Sequence, residues 1–110
     1  MSWGVDIQVD HGDGYVTTVE VVDGHTYNLT PLWREAGIFS ASRDLDGRPV
    51  GPLAPILTAG LIDALRHRTK YEALNPKNGC WGDYDGFVEI LTRFTRLAWE
   101  HPTGTIRWNG

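Results

Sequence analysis

Residues 5–22 read VDIQVDHGDGYVTTVEVV, and this stretch decides the fold class. In its first half Val5, Ile7 and Val9 are separated by single polar residues, which is the period of a strand with one wet face. Residues 11–14 are turn formers, and the second half is rich in aromatic and β-branched residues. The stretch therefore predicts two antiparallel strands joined by a turn.

Further strands are predicted on both sides of the helical part of the chain. Asp23-Gly24 is a favoured two-residue type I′ turn, and residues 25–27 follow it as a third strand, which gives an N-terminal antiparallel β-meander. Residues 105–108 predict a short C-terminal strand that either returns to the sheet or remains an exposed edge. Because an edge ending in Trp108 is able to pair across a twofold axis, a monomer and a homodimer both stay open.

Three helices are predicted between these strands, packed on one face of the sheet. Thr30-Pro31 has the pattern of an N-cap followed by proline in the first turn, and Gly37 ends this short helix. Two longer helices are indicated by apolar residues at helical spacing, and the second of them follows a turn at residues 83–86. The apolar positions are Leu53, Ile56, Leu57, Leu61, Ala64 and Leu65 in one and Phe87, Ile90, Leu91, Phe94, Leu97 and Ala98 in the other.

Length and composition indicate a single α+β domain over residues 1–110. The chain is 41% hydrophobic and 22% charged, as in ordinary globular domains. With a net charge of −4 and scattered basic residues it is not expected to bind nucleic acid, and its longest apolar segment, residues 51–65, is too short and too interrupted to span a membrane. The lone Cys80 and the lack of a signal-peptide pattern predict a cytoplasmic protein.

The most distinctive segment is LNPKNGCWGDYDG, residues 74–86, which places glycines, aromatic rings and carboxylates between two helices. Asp83 or Asp85 is suited to cap the following helix, which leaves the other carboxylate free. In one interpretation Trp81 and Tyr84 pack on a partner; in the other Trp81 folds inward between the helices. The candidate partner-binding residues are Asn28, Trp33, Asn75, Asn78, Trp81, Asp83, Tyr84 and Asp85.

Several kinds of catalytic or metal site are disfavoured by spacing. With Gly86 as the sixth residue of a calcium loop, position twelve is Thr92 instead of the required glutamate, and no histidine pair has the helical spacing of a zinc site. Cys80 has no neighbouring base in the sequence. We therefore expect no metal and no cofactor.

Three blocks of the sequence resemble a family of small phage, prophage and bacterial proteins without an assigned function. They are residues 27–37 (YNLTPLWREAG), 71–79 (YEALNPKNG) and 81–86 (WGDYDG), and the resemblance covers about the last three quarters of the chain. The family pattern runs Asn-Gly-Trp-Gly, so Cys80 is an insertion here. The resemblance implies a phage-type accessory protein that acts in the cytoplasm of a bacterial host.

Three functions are compatible with these observations. The first is non-enzymatic binding of a host protein through residues 75–86, with Asn28 and Trp33 nearby. The second is binding of a small ligand, such as sequestration of a nucleotide signal. The third is an enzyme that uses Asp83 and Asp85 as acid and base, although no further catalytic partner is evident in the sequence.

Overall fold

Strand β1 (Ser2–Asp10) is the central strand of an antiparallel sheet and lies between β2 (Val16–Thr26) and β3 (Thr105–Asn109). The structure is a computed structural model that describes residues 2–76 and 82–110. Val5 and Ile7 are fully buried, whereas the polar residues that alternate with them are partly exposed. The predicted α+β class and the return of the C-terminal strand to the sheet are confirmed.

The predicted turn at Asp23-Gly24 is wrong, because β2 continues through these residues to Thr26 and stays paired with β1. The register shifts twice near Val5, so β2 carries extra residues there and forms a bulged ladder. Gly24 has a φ of 73°, a left-handed conformation that suits a bulge as well as a turn. The N-terminal part of the sheet is therefore one long hairpin, and the third strand is β3.

The two longer helices form where they were predicted, but two of the predicted apolar positions, Ile56 and Leu65, are exposed. The predicted turn at residues 83–86 is instead the cap and first turn of the last helix.

The other differences concern helix ends. The second predicted helix ends where His67 leaves helical geometry (φ −121°, ψ 47°), and a short separate helix follows it. Thr30, predicted as an N-cap, is instead the first residue of its helix, while Asp83 caps the last helix as predicted. The helices are α1 (Thr30–Glu35), α2 (Val50–Arg66), α3 (Arg68–Glu72) and α4 (Tyr84–Glu100), and the 3-10 turns are Tyr27–Leu29 and Ser42–Leu45.

The core contains an aromatic cluster at the end of the sheet where β2 meets α1. Trp33 stacks on Phe39 with ring centres 5.4 Å apart and meets Phe87 edge-on at 5.0 Å. Trp3 packs edge-on against Trp33 and His25. Such offset and edge-on pairs contribute more than their buried area alone, so the cluster fixes how α1 and α4 sit on the sheet.

The polar groups enclosed by this cluster include Trp3 Nε1, which has no hydrogen-bond partner among the described residues, and the His25 imidazole. His25 is 6% exposed, and its Nε2 accepts a hydrogen bond of 3.0 Å from Trp33 Nε1. Burial disfavours the charged imidazolium and lowers the pKa of His25 from 6.5 to about 4. His25 is therefore neutral at pH 7 and acts as an acceptor.

Within the described residues, no helix is both long and apolar enough to cross a membrane.

The buried His25 predicts a pH-dependent stability. His25 takes up a proton near pH 4 in the folded protein but near pH 6.5 in the unfolded chain. The full stability of the folded state is therefore present above about pH 6.5, and it is lost progressively as the pH falls toward 4. We expect the free energy of unfolding, measured in urea, to be about 2 kcal/mol lower at pH 5 than at pH 7 through this group. A His25→Gln variant should lose that part of the slope; an unchanged slope would contradict the assignment.

Candidate ligand-binding groove

Helix α1 turns its apolar side to the core and its polar side to solvent. Leu32 and Trp33 are fully buried, whereas Pro31 and Arg34 are exposed. Gly37, with a φ of 77°, ends the helix as predicted and lets the chain turn back beside it. The exposed side of α1 is thereby left as one wall of a groove.

The opposite wall is the 3-10 turn Ser42–Leu45, and β3 contributes one side chain. We call this site the α1 groove, which has a volume of about 540 Å³. Its lining includes Tyr27, Asn28, Arg34, Ser42, Arg43 and Trp108. These residues come from three segments that are distant in the sequence, so the groove exists only in the folded chain.

Hydrogen bonds hold the walls in place. Trp108 donates from Nε1 to Ser42 Oγ and from its backbone nitrogen to Asp46 Oδ1, each over 3.1 Å. Arg34 Nε donates to the Ser40 carbonyl oxygen over 2.7 Å, which ties α1 to the segment that follows it. Since side chains from both walls and from β3 take part, the groove is built before any ligand arrives.

The charged side chains among the residues that line the groove are Arg34 and Arg43, while the carboxylates of Asp44 and Asp46 accept hydrogen bonds from the backbone nitrogens of Ala41 and Trp108. In the described part of the chain, no carboxylate lies within ion-pair distance of Arg34 or Arg43, whereas Arg68 and Lys70 elsewhere each contact two. A guanidinium stays charged at all physiological pH values and presents a planar set of donors that matches phosphate or carboxylate. Two of them beside the Trp108 ring suit a ligand that is both anionic and planar.

Two of the predicted site residues require correction, since they are structural. Trp33 is completely buried in the aromatic cluster. Tyr84 is 4% exposed, and its hydroxyl donates to the Ala64 carbonyl oxygen over 2.7 Å. Aromatic residues at such positions fill a small core, so neither side chain is available to a partner at the surface.

The other predicted residues are spread over the surface near the start of α4. The Asp83 carboxylate accepts from the Gly86 nitrogen at 2.8 Å, and Asp85 pairs with Arg68 at 3.2 Å. Asn75 is half-buried, and its Oδ1 has no hydrogen-bond partner among the described residues. Asn78, Trp81 and Cys80 lie outside the described residues.

Among the predicted residues that the structure describes, Asn28 is the one that lines the α1 groove. Its backbone nitrogen donates to Thr26 Oγ1, which fixes the turn that leads from β2 into α1. A Cβ on Gly82 would lie 2.8 Å from Leu29 Cδ1, so the start of α4 packs directly beside this turn. The residue before Asp83 therefore lies beside the turn that contains Asn28, although the groove opens along α1.

A second polar cluster joins three helices but has a structural role. Tyr71 donates from its hydroxyl to Asp63 Oδ2 over 2.6 Å, and Lys70 reaches both Asp63 and Glu35. The hydrogen bond from Tyr71 lowers the pKa of Asp63, with further lowering by Lys70, and burial raises the pKa of Tyr71. These shifts keep both groups in their usual protonation states at pH 7, so the cluster fastens α3 and supplies no tuned acid or base.

Sequence reasoning missed the residues that dominate the α1 groove. Arg34 follows Trp33 directly, and about 100° of helical rotation separates an inward from an outward side chain. The burial of both Leu32 and Trp33 would have placed Arg34 at the surface. The sequence around Arg43 and around Trp108 does not indicate a binding site. Residues 41–43 lie next to β3 only in the folded chain.

Comparison of the chain with family models, curated proteins and solved structures found no match.

The two carboxylates at the start of α4 should differ in their contribution to stability. Asp83→Ala removes an N-cap and should lower the free energy of unfolding by about 1 kcal/mol. Asp85→Ala removes an exposed ion pair and should cost clearly less. Denaturant unfolding of the two variants tests this, and equal losses would show that Asp83 is not the cap.

Proposed function

We propose that this protein is a non-enzymatic binding protein that holds a small planar anion, of the nucleotide type, in the α1 groove. The observation that carries the proposal is the pair Arg34 and Arg43 beside the Trp108 ring, in a concave site. Its volume of about 540 Å³ falls within the usual range for small-ligand sites. Following the family resemblance, we place this activity in the bacterial cytoplasm, in a phage-type accessory protein.

The arginines supply the anion-binding part of the proposed site. Arg34 is already tethered through Nε to Ser40, so its terminal nitrogens are pre-positioned at the groove. Arg43 is exposed on the facing turn and approaches from the other side. A phosphate between them would receive charge-assisted hydrogen bonds from both walls.

The aromatic side chains supply the planar part. Trp108 is half-buried, and the hydrogen bond from Nε1 to Ser42 fixes the orientation of its ring. Tyr27, also half-buried, lines the groove together with the exposed amide of Asn28. A base that stacks on a ring and hydrogen-bonds an amide uses contacts that are common in nucleotide recognition.

Binding is supported better than catalysis at the start of α4. Asp83 is engaged by the backbone of its own helix, and Asp85 by Arg68. A general acid or base needs a group that is free to exchange protons with a substrate. The alternative of a host protein bound at residues 75–86 stays a prediction; among its described residues Asp83 and Asp85 are exposed and Asn75 is half-buried.

The proposal is tested by calorimetric titration with nucleoside mono-, di- and cyclic phosphates, after a thermal-shift screen of the same compounds. We expect at least one nucleotide to raise the melting temperature, since a ligand that binds only the folded state stabilises it. The corresponding nucleoside and inorganic phosphate should each bind more weakly, because each lacks half of the recognised groups. Absence of stabilisation by every nucleotide would contradict the proposal.

An arginine variant tests the location of the site. Arg43→Gln should weaken binding of the best nucleotide by about tenfold or more, since a charge-assisted hydrogen bond contributes about 1.5–3 kcal/mol. Arg96→Gln makes the same chemical change on the exposed side of α4 and should leave the affinity unchanged. Equal affinities of the wild type and Arg43→Gln would place the ligand elsewhere.

A further inference from the structure

The two edges of the sheet differ in how they are covered. At β3, Gly47 N donates to Ile106 O at 2.8 Å and Ile106 N donates to Arg48 O at 2.9 Å. The β3 edge is therefore covered by residues 47 and 48 of the same chain. This is the edge with Trp108 at which the sequence suggested a twofold contact. The outer side of β2 is less covered. Among the described residues, one hydrogen bond reaches its backbone from another element, from Arg93 Nη1 to the Val21 carbonyl oxygen over 3.4 Å.

The open backbone groups of β2 follow from the pairing pattern. His11 N donates to Tyr15 O at 3.0 Å, so Tyr15 turns its backbone groups toward β1. Because these groups alternate along an antiparallel strand, Val16, Thr18 and Glu20 present theirs outward. The turn before Tyr15 and the bulge after Glu20 bound this regular segment, whose centre is Thr18.

We propose that a second copy of this chain pairs with the β2 edge, antiparallel and about a twofold axis through Thr18. This register places Val16 opposite Glu20 of the partner subunit and Thr18 opposite the partner's Thr18. Every outward backbone group of the segment then has a main-chain hydrogen-bond partner, and the two sheets become one continuous sheet. The inference is independent of the proposed function, since the α1 groove lies at the opposite edge, beside β3.

Self-complementarity of the side chains favours a second copy as the occupant. Tyr15 and Val16 are 66% and 49% exposed, an unusual pair of apolar side chains at a strand end. In this register they come opposite the partner's Val21 and the partner's Glu20, so each copy covers the exposed residues of the other. Tyr15 also comes beside the partner's Arg93, where a ring and a guanidinium attract each other.

The charges of the strand select this register over its neighbours. An axis through Glu20 would place two carboxylates directly opposite each other, which destabilises an antiparallel pair. An axis through Val16 would extend the pairing into the turn at residues 11–14 and leave Glu20 unpaired. An axis through Thr17 or Val19 would pair only two of the three open residues with each other. The axis through Thr18 alone pairs all three, and it sets Glu20 against an apolar side chain.

Sedimentation velocity of the full chain over a concentration series tests the proposal. We expect a monomer–dimer equilibrium that reaches the dimer at about 100 µM, a concentration at which even micromolar interfaces are filled. A chain that remains monomeric at about 100 µM would overturn the proposal. The same result is expected if the β2 edge binds a strand of a different protein.

Two matched variants locate the interface. Val16→Lys sets a cation opposite the partner's Glu20 and should dimerise at least as tightly as the wild type, while Val16→Glu sets like charges opposite each other. Because the contact occurs twice in a twofold dimer, we expect the two variants to differ by about tenfold or more in dimer dissociation constant.

A charge-reversed double variant shows whether a variant that fails to dimerise has lost the interface or the fold. The double variant Val16→Glu with Glu20→Lys restores an opposite-charge pair and should recover the dimer, and circular dichroism melting checks that all variants are folded. Equal dimerisation of Val16→Lys and Val16→Glu, or failure of the reversal to recover the dimer, would place the contact on another surface.

Discussion

The hydrogen bond between Trp33 Nε1 and His25 Nε2 joins the end of β2 to α1, and the position of the candidate site depends on it. Both side chains are buried in the aromatic cluster, where an unpaired indole or imidazole would cost about 1–3 kcal/mol. The bond therefore fixes the rotation of α1 as well as its location. With Leu32 and Trp33 both pointing inward, Pro31 and Arg34 on either side of them point outward, and they form the wall of the α1 groove.

The central position of β1 explains why the two sides of the sheet serve different purposes. β3 pairs with β1 on one side and is covered in turn by residues 47–49, so that Trp108 is held against Ser42. On the other side, β2 runs past the helices into an exposed hairpin. The covered edge contributes a side chain to a concave site, and the open edge offers its backbone. The proposed ligand binding and the proposed self-association therefore use different parts of the sheet.

Local patterns in the sequence predicted those parts of the fold that depend on neighbouring residues. The alternation of Val5 and Ile7, the helical spacing in α4 and the cap at Asp83 each report a local geometry, and the structure contains all three. The turn predicted at Asp23-Gly24 was wrong because a left-handed glycine occurs in a bulge as well as in a turn. The next residue, His25, is buried, and β2 continues through it. The family resemblance and the function inferred from it stay predictions.

The candidate site was less predictable for a physical reason. Tyr84 was predicted to pack on a partner and Trp33 to lie near that surface, yet both are buried, since a chain of this size needs large side chains to fill its core. The α1 groove joins residues near positions 27–34, 41–43 and 108, whose proximity depends on the sheet order and on the turn Ser42–Leu45. No pattern within any one of these segments reports that proximity.

The most direct test of the central interaction is hydrogen exchange of the Trp33 indole N–H, followed by ¹⁵N NMR as the pH is lowered from 7 to 5. Since His25 stays neutral and continues to accept the bond over this range, we predict slow exchange and a nearly constant chemical shift. Trp99, a 57% exposed residue whose Nε1 donates to Thr58 Oγ1 over 2.8 Å at the surface, supplies the internal reference. Exchange of Trp33 as fast as that of Trp99, or a titration of its shift centred near pH 6.5, would contradict the account.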